Sequence, residues 1–181
     1  MRWKQVTSSP STELSLPLQF IAFANAYLYS ATTLCQALVN SSKETTYERG
    51  SAIMYLAFHA AELFLKAAIL NKSPNERFGH DVEILHNRYK SLYRAKKYSL
   101  TIPFQIDYSG LSEPQKISAR KNKPPENELY RYPCDNSHTE WKGVYGFEPI
   151  SFLMVIEKLQ DNFMHLQGTI FGEDQTSNLN G

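Results

Sequence analysis

The apolar residues Phe20, Ile21, Ala24, Leu28, Ala31, Leu34 and Leu38 recur at the spacing of one helix face. Pro17 has no N–H to leave unpaired in a first turn, and Asn40-Ser41-Ser42 supplies an end, so the pattern predicts a helix over Leu18–Val39. A second helix is predicted from near Thr46 to about Asn71, where Lys72-Ser73-Pro74-Asn75 breaks it. Its central stretch, Ser51–Leu70, is Ile, Met, Leu, Phe and Ala on nearly every side. Only a central, mostly buried helix satisfies such a circumference. One line interrupts it. At about 100° per residue, Tyr55, His59, Glu62 and Lys66 fall within an arc of roughly 60°.

Asp81 suits the N-cap of a third helix, because its carboxylate can accept the N–H groups one turn on. Val82, Leu85, Tyr89 and Leu92 give that helix an inner face. Glu148-Pro149 opens a last helix with Phe152, Val155, Ile156, Leu159, Phe163 and Leu166 inward, and Gly168 is the expected stop after Gln167. Residues 98–147 have no helical period: five prolines, several tyrosines and scattered glycines suggest short strands near Leu129–Tyr132 and Val144–Phe147, with a hairpin around Asp135–Lys142. The prediction is an all-α bundle of four to five helices with one irregular insertion before the last. It forms a single domain over residues 17–171, between a loose arm at 1–16 and a polar, fraying tail at 172–181.

A chain of 181 residues is long enough for one domain with a proper core and short for two. Its 42% hydrophobic and 13% aromatic content exclude a disordered polypeptide. The net charge of +1 argues against wholesale coating of nucleic acid. Yet nine Lys/Arg stand between Arg88 and Lys123 against two acids, Asp107 and Glu113, so a local basic strip survives the neutral total. Cys35 and Cys134 have no partner spacing and fit a reduced compartment; Cys35 falls on the apolar pattern of the first helix, and Cys134 has only His138 nearby as a base. No leader layout opens the chain, and Asn25, Tyr29 and Glu62 interrupt the longest apolar stretches, so the expected location is cytoplasmic, away from membranes.

The pieces Ala57-Phe58-His59-Ala60-Ala61-Glu62-Leu63-Phe64-Leu65-Lys66-Ala67 and Gly79-His80-Asp81-Val82-Glu83-Ile84-Leu85 resemble the helix-two signature H-A-x-E-x-x-L-K-A and the following G-H-D-L helix start of the HEPN superfamily. The helix order and the position of the insertion are similar too. The resemblance covers roughly residues 17–97 and the last helix. It implies a four- or five-helix bundle, commonly a homodimer. Many members are metal-independent endoribonucleases of toxin–antitoxin and defence systems, with an Arg and a His that have four to six residues between them. Others are silent and bind nucleotides, nucleic acid, an antitoxin or a partner nucleotidyltransferase.

Arg131 and His138 have six residues between them and are the candidate catalytic pair. An imidazole that titrates near neutrality can move the 2′-hydroxyl proton, while a guanidinium holds the phosphate. The pair departs from the family pattern, since Pro133 follows Arg131 closely and the last helix begins only near Glu148. The competing reading makes Arg131-Tyr132-Pro133 a turn lock in which Arg131 neutralises a buried carboxylate, foremost Glu62.

The stripe of Tyr55, His59, Glu62 and Lys66 reads either as a packed structural seam or as a polar pocket floor completed by His80, with Tyr132 beside it. His59, Glu62, His80 and Asp81 include metal-ligand types but lack a second paired ligand motif, so neither metal nor other cofactor is expected. In the basic strip, Arg88, Arg94, Lys96, Lys97, Arg120, Lys121 and Lys123 are candidate nucleic-acid contacts, with Tyr89, Tyr93, Tyr98 and Tyr108 as stacking rings. A solvated helix face with an exposed loop explains the same charges. Two functional expectations follow: an RNA- or nucleotide-directed protein of toxin or defence type, cutting RNA without metal if it is active, or a non-catalytic dimer binding a nucleotide or partner chain. A metal-dependent hydrolase built on His59, Glu62 and His80 is the third.

Overall fold

The computed structural model describes residues 14–41, 45–103, 110, 112–122, 126–134, 137–138, 140 and 147–177, without the side chains of 118–122, 126–127 and 173–177. Helix α1 spans Leu16–Asn40, α2 Tyr47–Lys72, α3 Val82–Leu92, α4 Glu113–Asn122, α5 Glu126–Leu129 and α6 Pro149–Ser177, with a 3-10 turn at Lys96–Tyr98. The protein is an all-α bundle. Helix α2 is its axis, packed by α1, α3, α6 and the short α5, while α1 also meets α6 and the 3-10 turn rests on α6.

The helix starts follow from their caps. The Thr46 side chain accepts the Arg49 N–H, and Asp81 accepts the Ile84 N–H at 3.0 Å. Each satisfies a donor that the first turn leaves open. From Phe64 to Leu70 every residue of α2 is buried. Phe64 stacks on Phe163 of α6 with ring centroids 4.1 Å apart, joining the two longest helices through one aromatic pair. Tyr93 donates its hydroxyl to the Ala68 carbonyl and Tyr89 donates to that of Tyr98, so the polar tips of two buried rings are satisfied. By length and composition α2 is also apolar enough to cross a membrane, against the expectation that Glu62 breaks the stretch. In this fold 78% of that window is buried inside the bundle.

Three boundaries differ from expectation. Gly168 does not stop the last helix, which continues to Ser177. Leu166, Ile170 and Phe171 are all buried, and their packing outweighs the ~1 kcal/mol propensity cost of one glycine. Residues 172–177 of the expected tail are therefore helical. Leu129–Tyr132 is not a strand: Leu129 closes α5, and the N–H groups of Arg131 and Tyr132 turn back onto the Glu128 carbonyl. Residues 144–146 of the second expected strand lie outside the described residues, and Phe147 is irregular. Of the expected hairpin there is one antiparallel bridge, Cys134 to Glu140, with most of the intervening residues outside the description. Helix α4 was not expected at all. Leu34, counted with the inner face of α1, is 47% exposed.

Candidate functional site

The polar stripe of α2 converges on one carboxylate. Glu62 is 3% exposed, and Lys66, one turn on, places Nζ 2.5 Å from its Oε1. His80 reaches the same oxygen from the α2–α3 connection, Nδ1 to Oε1 at 2.9 Å. His59 Nδ1 lies 3.3 Å from Oε2. Burial alone would raise the Glu62 pKa, but the hydrogen bonds from His59, Lys66 and His80 and the Lys66 charge outweigh it and hold the carboxyl at about 2. Because a carboxylate only accepts, both imidazoles donate through Nδ1. The expected convergence of His59, Glu62, Lys66 and His80 is present, and His80 completes it. Lys66 is itself buried, whereas the His80 side chain is 71% exposed. Among the described residues no group of three or more His, Cys, Asp or Glu is arranged to hold a metal ion.

Arg131 is placed differently from the turn-lock expectation. Glu62 is ion-paired with Lys66 and accepts hydrogen bonds from the two imidazoles, and the Arg131 guanidinium lies instead over two rings, 5.5 Å from the Tyr55 centroid and 5.2 Å from that of Tyr132. That is cation–π geometry. Tyr55 in turn stacks on His59, with centroids 5.8 Å apart and planes 6° from parallel, and Tyr27 of α1 meets the edge of His59 at 4.7 Å. A continuous strip thus runs from Tyr132 through Arg131, Tyr55 and His59 to Glu62 and His80. Tyr55, His59 and Glu62, within seven positions of one another in α2, are joined to a segment some 70 residues later.

At the N-terminal end of α2 this strip borders a groove of about 520 Å³. Tyr47, Glu48, Ser51 and Ala52 of α2 form one side and Leu129–Pro133 the other. The second wall is irregular backbone, yet it is anchored: Ser51 Oγ donates to the Tyr130 carbonyl at 3.0 Å, the Tyr130 ring packs against Phe58, and Leu129 is buried. The groove is therefore formed before any ligand arrives. Its volume falls in the range of about 300–1,000 Å³ typical of small-molecule sites.

His138 is exposed and has φ of 61°. This left-handed backbone is uncommon for a residue with a side chain, although His is among those enriched there. In the basic strip, Glu76 clamps the Arg88 guanidinium at 2.7 Å through both Nε and Nη2. Arg94, Lys96 and Lys97 are exposed, with the Lys97 ammonium over the Tyr98 ring. Tyr89 and Tyr93 are 1% and 5% exposed, so the expectation that they stack on bases fails: their rings belong to the core. Arg120 and Lys121 lie on α4, while Lys123 and Tyr108 fall outside the described residues. Cys35 is fully buried, and burial, with Glu148 and Glu157 adding to it, pushes its thiol up to about 11; it packs and does not react.

Sequence reasoning missed Tyr47, Glu48, Ser51 and Leu129 as groove residues. The available signal was the polar first turn of α2, Tyr47-Glu48-Arg49, which faces away from the core. Comparison of the chain with protein-family models, with curated proteins and with solved structures gives no match.

Proposed function

We propose that this is a HEPN-like protein that binds RNA or nucleotides, with Arg131 receiving phosphate. The observation that carries the reading is the exposed guanidinium held between Tyr55 and Tyr132 at the mouth of a preformed groove. A cation fixed against rings has little rotamer freedom left to lose, and a guanidinium offers paired donors to phosphate oxygens. The adjoining rings offer a face for a base, the combination used for single strands. The exposed charges of Arg94, Lys96 and Lys97 supply further phosphate contacts where a chain is long enough to reach them. The HEPN resemblance adds the expected setting: a cytoplasmic dimer of toxin or defence type, alone or with an antitoxin or nucleotidyltransferase.

The test is fluorescence anisotropy with a labelled, mixed-sequence single-stranded RNA in excess chelator. Arg131→Gln is expected to weaken binding at least several-fold and to lower the salt slope by about 1. An unchanged affinity in that variant overturns the reading.

Cleavage is the second reading, favoured by the left-handed backbone at His138, a conformation that clusters at functional sites. In that reaction the His138 imidazole takes the 2′-hydroxyl proton, O2′ attacks phosphorus while Arg131 holds the non-bridging oxygens, the P–O5′ bond breaks, and the leaving 5′-oxygen takes a proton from water. The products are a 2′,3′-cyclic phosphate and a 5′-hydroxyl. Cleavage that persists in chelator and disappears in His138→Ala supports it; intact RNA at high protein concentration leaves the binding module alone.

A further inference from the structure

We propose that the groove at the start of α2 takes a guanine base, its pairing edge on the Glu48 carboxylate and its phosphate on Arg131. The proposal rests on the nucleotide reading above and narrows it to one base. Three observations carry it.

First, the groove has the right materials. Tyr47 and Tyr132 contribute rings that are 39% and 50% exposed, Ala52 and Leu129 contribute apolar wall, and Arg131 stands at one end. A flat, polar-edged aromatic ligand with an anion attached matches that lining better than an aliphatic one.

Second, the lining carries one carboxylate that can meet a ligand's edge. The Ser51 hydroxyl already donates to the Tyr130 carbonyl, which leaves only its lone pairs. Glu48, in the first turn of α2, lines the groove with an ionisable carboxyl. Hydrogen bonds from its own backbone N–H and the Thr46 side chain keep that carboxyl below its ordinary range, so it is an acceptor at neutral pH.

Third, the four bases differ in what they offer a carboxylate. Guanine presents N1–H and one N2–H side by side, two donors that match two carboxylate oxygens. Adenine and cytosine each set one amino donor next to a ring-nitrogen lone pair, which faces the second oxygen repulsively. Uracil has a single N–H flanked by two carbonyls. A carboxylate at that edge therefore favours guanine, the one base that offers it two donors with no opposed lone pair.

The experiment is calorimetric titration of the full chain with the 5′-monophosphates of guanosine, adenosine, cytidine and uridine. Guanosine monophosphate is expected to bind tighter than the other three by on the order of tenfold. Glu48→Gln should weaken guanosine monophosphate and strengthen adenosine monophosphate, because the new amide donates to the adenine ring nitrogen and accepts from its amino group, and Arg131→Gln should weaken all four alike. Equal affinity for all four nucleotides overturns the guanine assignment while the nucleotide reading stands. Equal weakening of all four by Glu48→Gln also overturns it, because Glu48 would then act only on the helix start. Should none of the four bind and mixed-sequence RNA fail as well, the nucleotide reading falls with it.

Discussion

The two ends of the polar stripe on α2 use similar residues for opposite purposes. Toward the middle of the helix, Glu62 and Lys66 are both under a tenth exposed, and every oxygen of the carboxylate has a donor from α2 or from the α2–α3 connection. That end is closed. Toward the N-terminus, Glu48 and Tyr47 face a groove, and the opposite wall presents a guanidinium that rests on rings. The difference teaches where each kind of free energy resides. A buried, fully paired charge is costly to break and contributes to holding one fold, whereas an exposed charge beside a cavity contributes little to stability and is available to a ligand. Substitutions at the closed end should unfold the protein; those at the open end should spare the fold and abolish binding.

The largest expected effect is therefore at Glu62. Glu62→Ala removes the acceptor for Lys66, His59 and His80 and leaves the Lys66 ammonium buried without its counter-charge. Breaking one partner of such a pair costs about 3–5 kcal/mol, read as a lower urea midpoint at unchanged slope. Glu62→Leu combined with Lys66→Met, which removes both charges, should recover most of it. If the double variant is as unstable as the single one, the closed end depends on more than this pair.

A smaller, pH-dependent effect follows from the same carboxyl. Its folded pKa of about 2 lies below the ordinary value of 4.5. The unfolded chain therefore binds the proton first as pH falls, and the stabilisation, fully present above about pH 4.5, is lost progressively toward pH 2. The difference is on the order of 3 kcal/mol. Denaturant melts between pH 6 and pH 2 should show this acid limb in the native chain, and Glu62→Gln should flatten it. An equally steep limb in the variant would assign acid sensitivity to other carboxylates.

The closed end was legible in the sequence and the open end only in part, for a physical reason. The 100° periodicity that places Tyr55, His59, Glu62 and Lys66 on one line is a property of a single helix, and Gly79-His80-Asp81 lies close enough in sequence to return to it. The groove is made by residues some 80 positions apart, and the turn at Tyr130–Tyr132 has no period to read. Its aromatic, β-prone residues suggested a strand, but the N–H groups of Arg131 and Tyr132 are taken up by the end of α5 instead. Helix α4 has no apolar stripe from which to predict it: Ile117, its one large apolar residue, is 65% exposed. Its start was nevertheless written in Ser112-Glu113-Pro114-Gln115, where Gln115 Oε1 accepts from both the N–H and the hydroxyl of Ser112. That is half of a capping box, a signal independent of hydrophobic pattern. Spacing alone also leaves Tyr89 and Tyr93 open to a nucleic-acid surface, whereas both are buried in the core.

Gly50 lies within the open end, between Glu48 and Ser51, and it yields the smallest and most discriminating prediction. This glycine is buried in the second turn of α2, with the Phe147 side chain lying across it. A Cβ there would stand 2.8 Å from the Cβ of Phe147 and closer still to its ring. Because the obstruction begins at the Cβ of Phe147, a rotamer change cannot relieve it; the backbone entering α6 must shift, and with it the Phe147–Phe152 ring contact at 5.3 Å. Gly50→Ala gains helix propensity but overpacks this junction, for a net loss of about 1–3 kcal/mol in denaturant melts. Phe147→Ala removes the obstruction, so the double variant should be more stable than the sum of the two single changes by 1 kcal/mol or more, as expected of residues in direct contact. Additive losses would mean that the segment before α6 is not seated on α2 at Gly50. The groove beside it would then lack the packed neighbour that makes its start rigid, and the Ser51 hydrogen bond to Tyr130 would be the first fixed point of the open end.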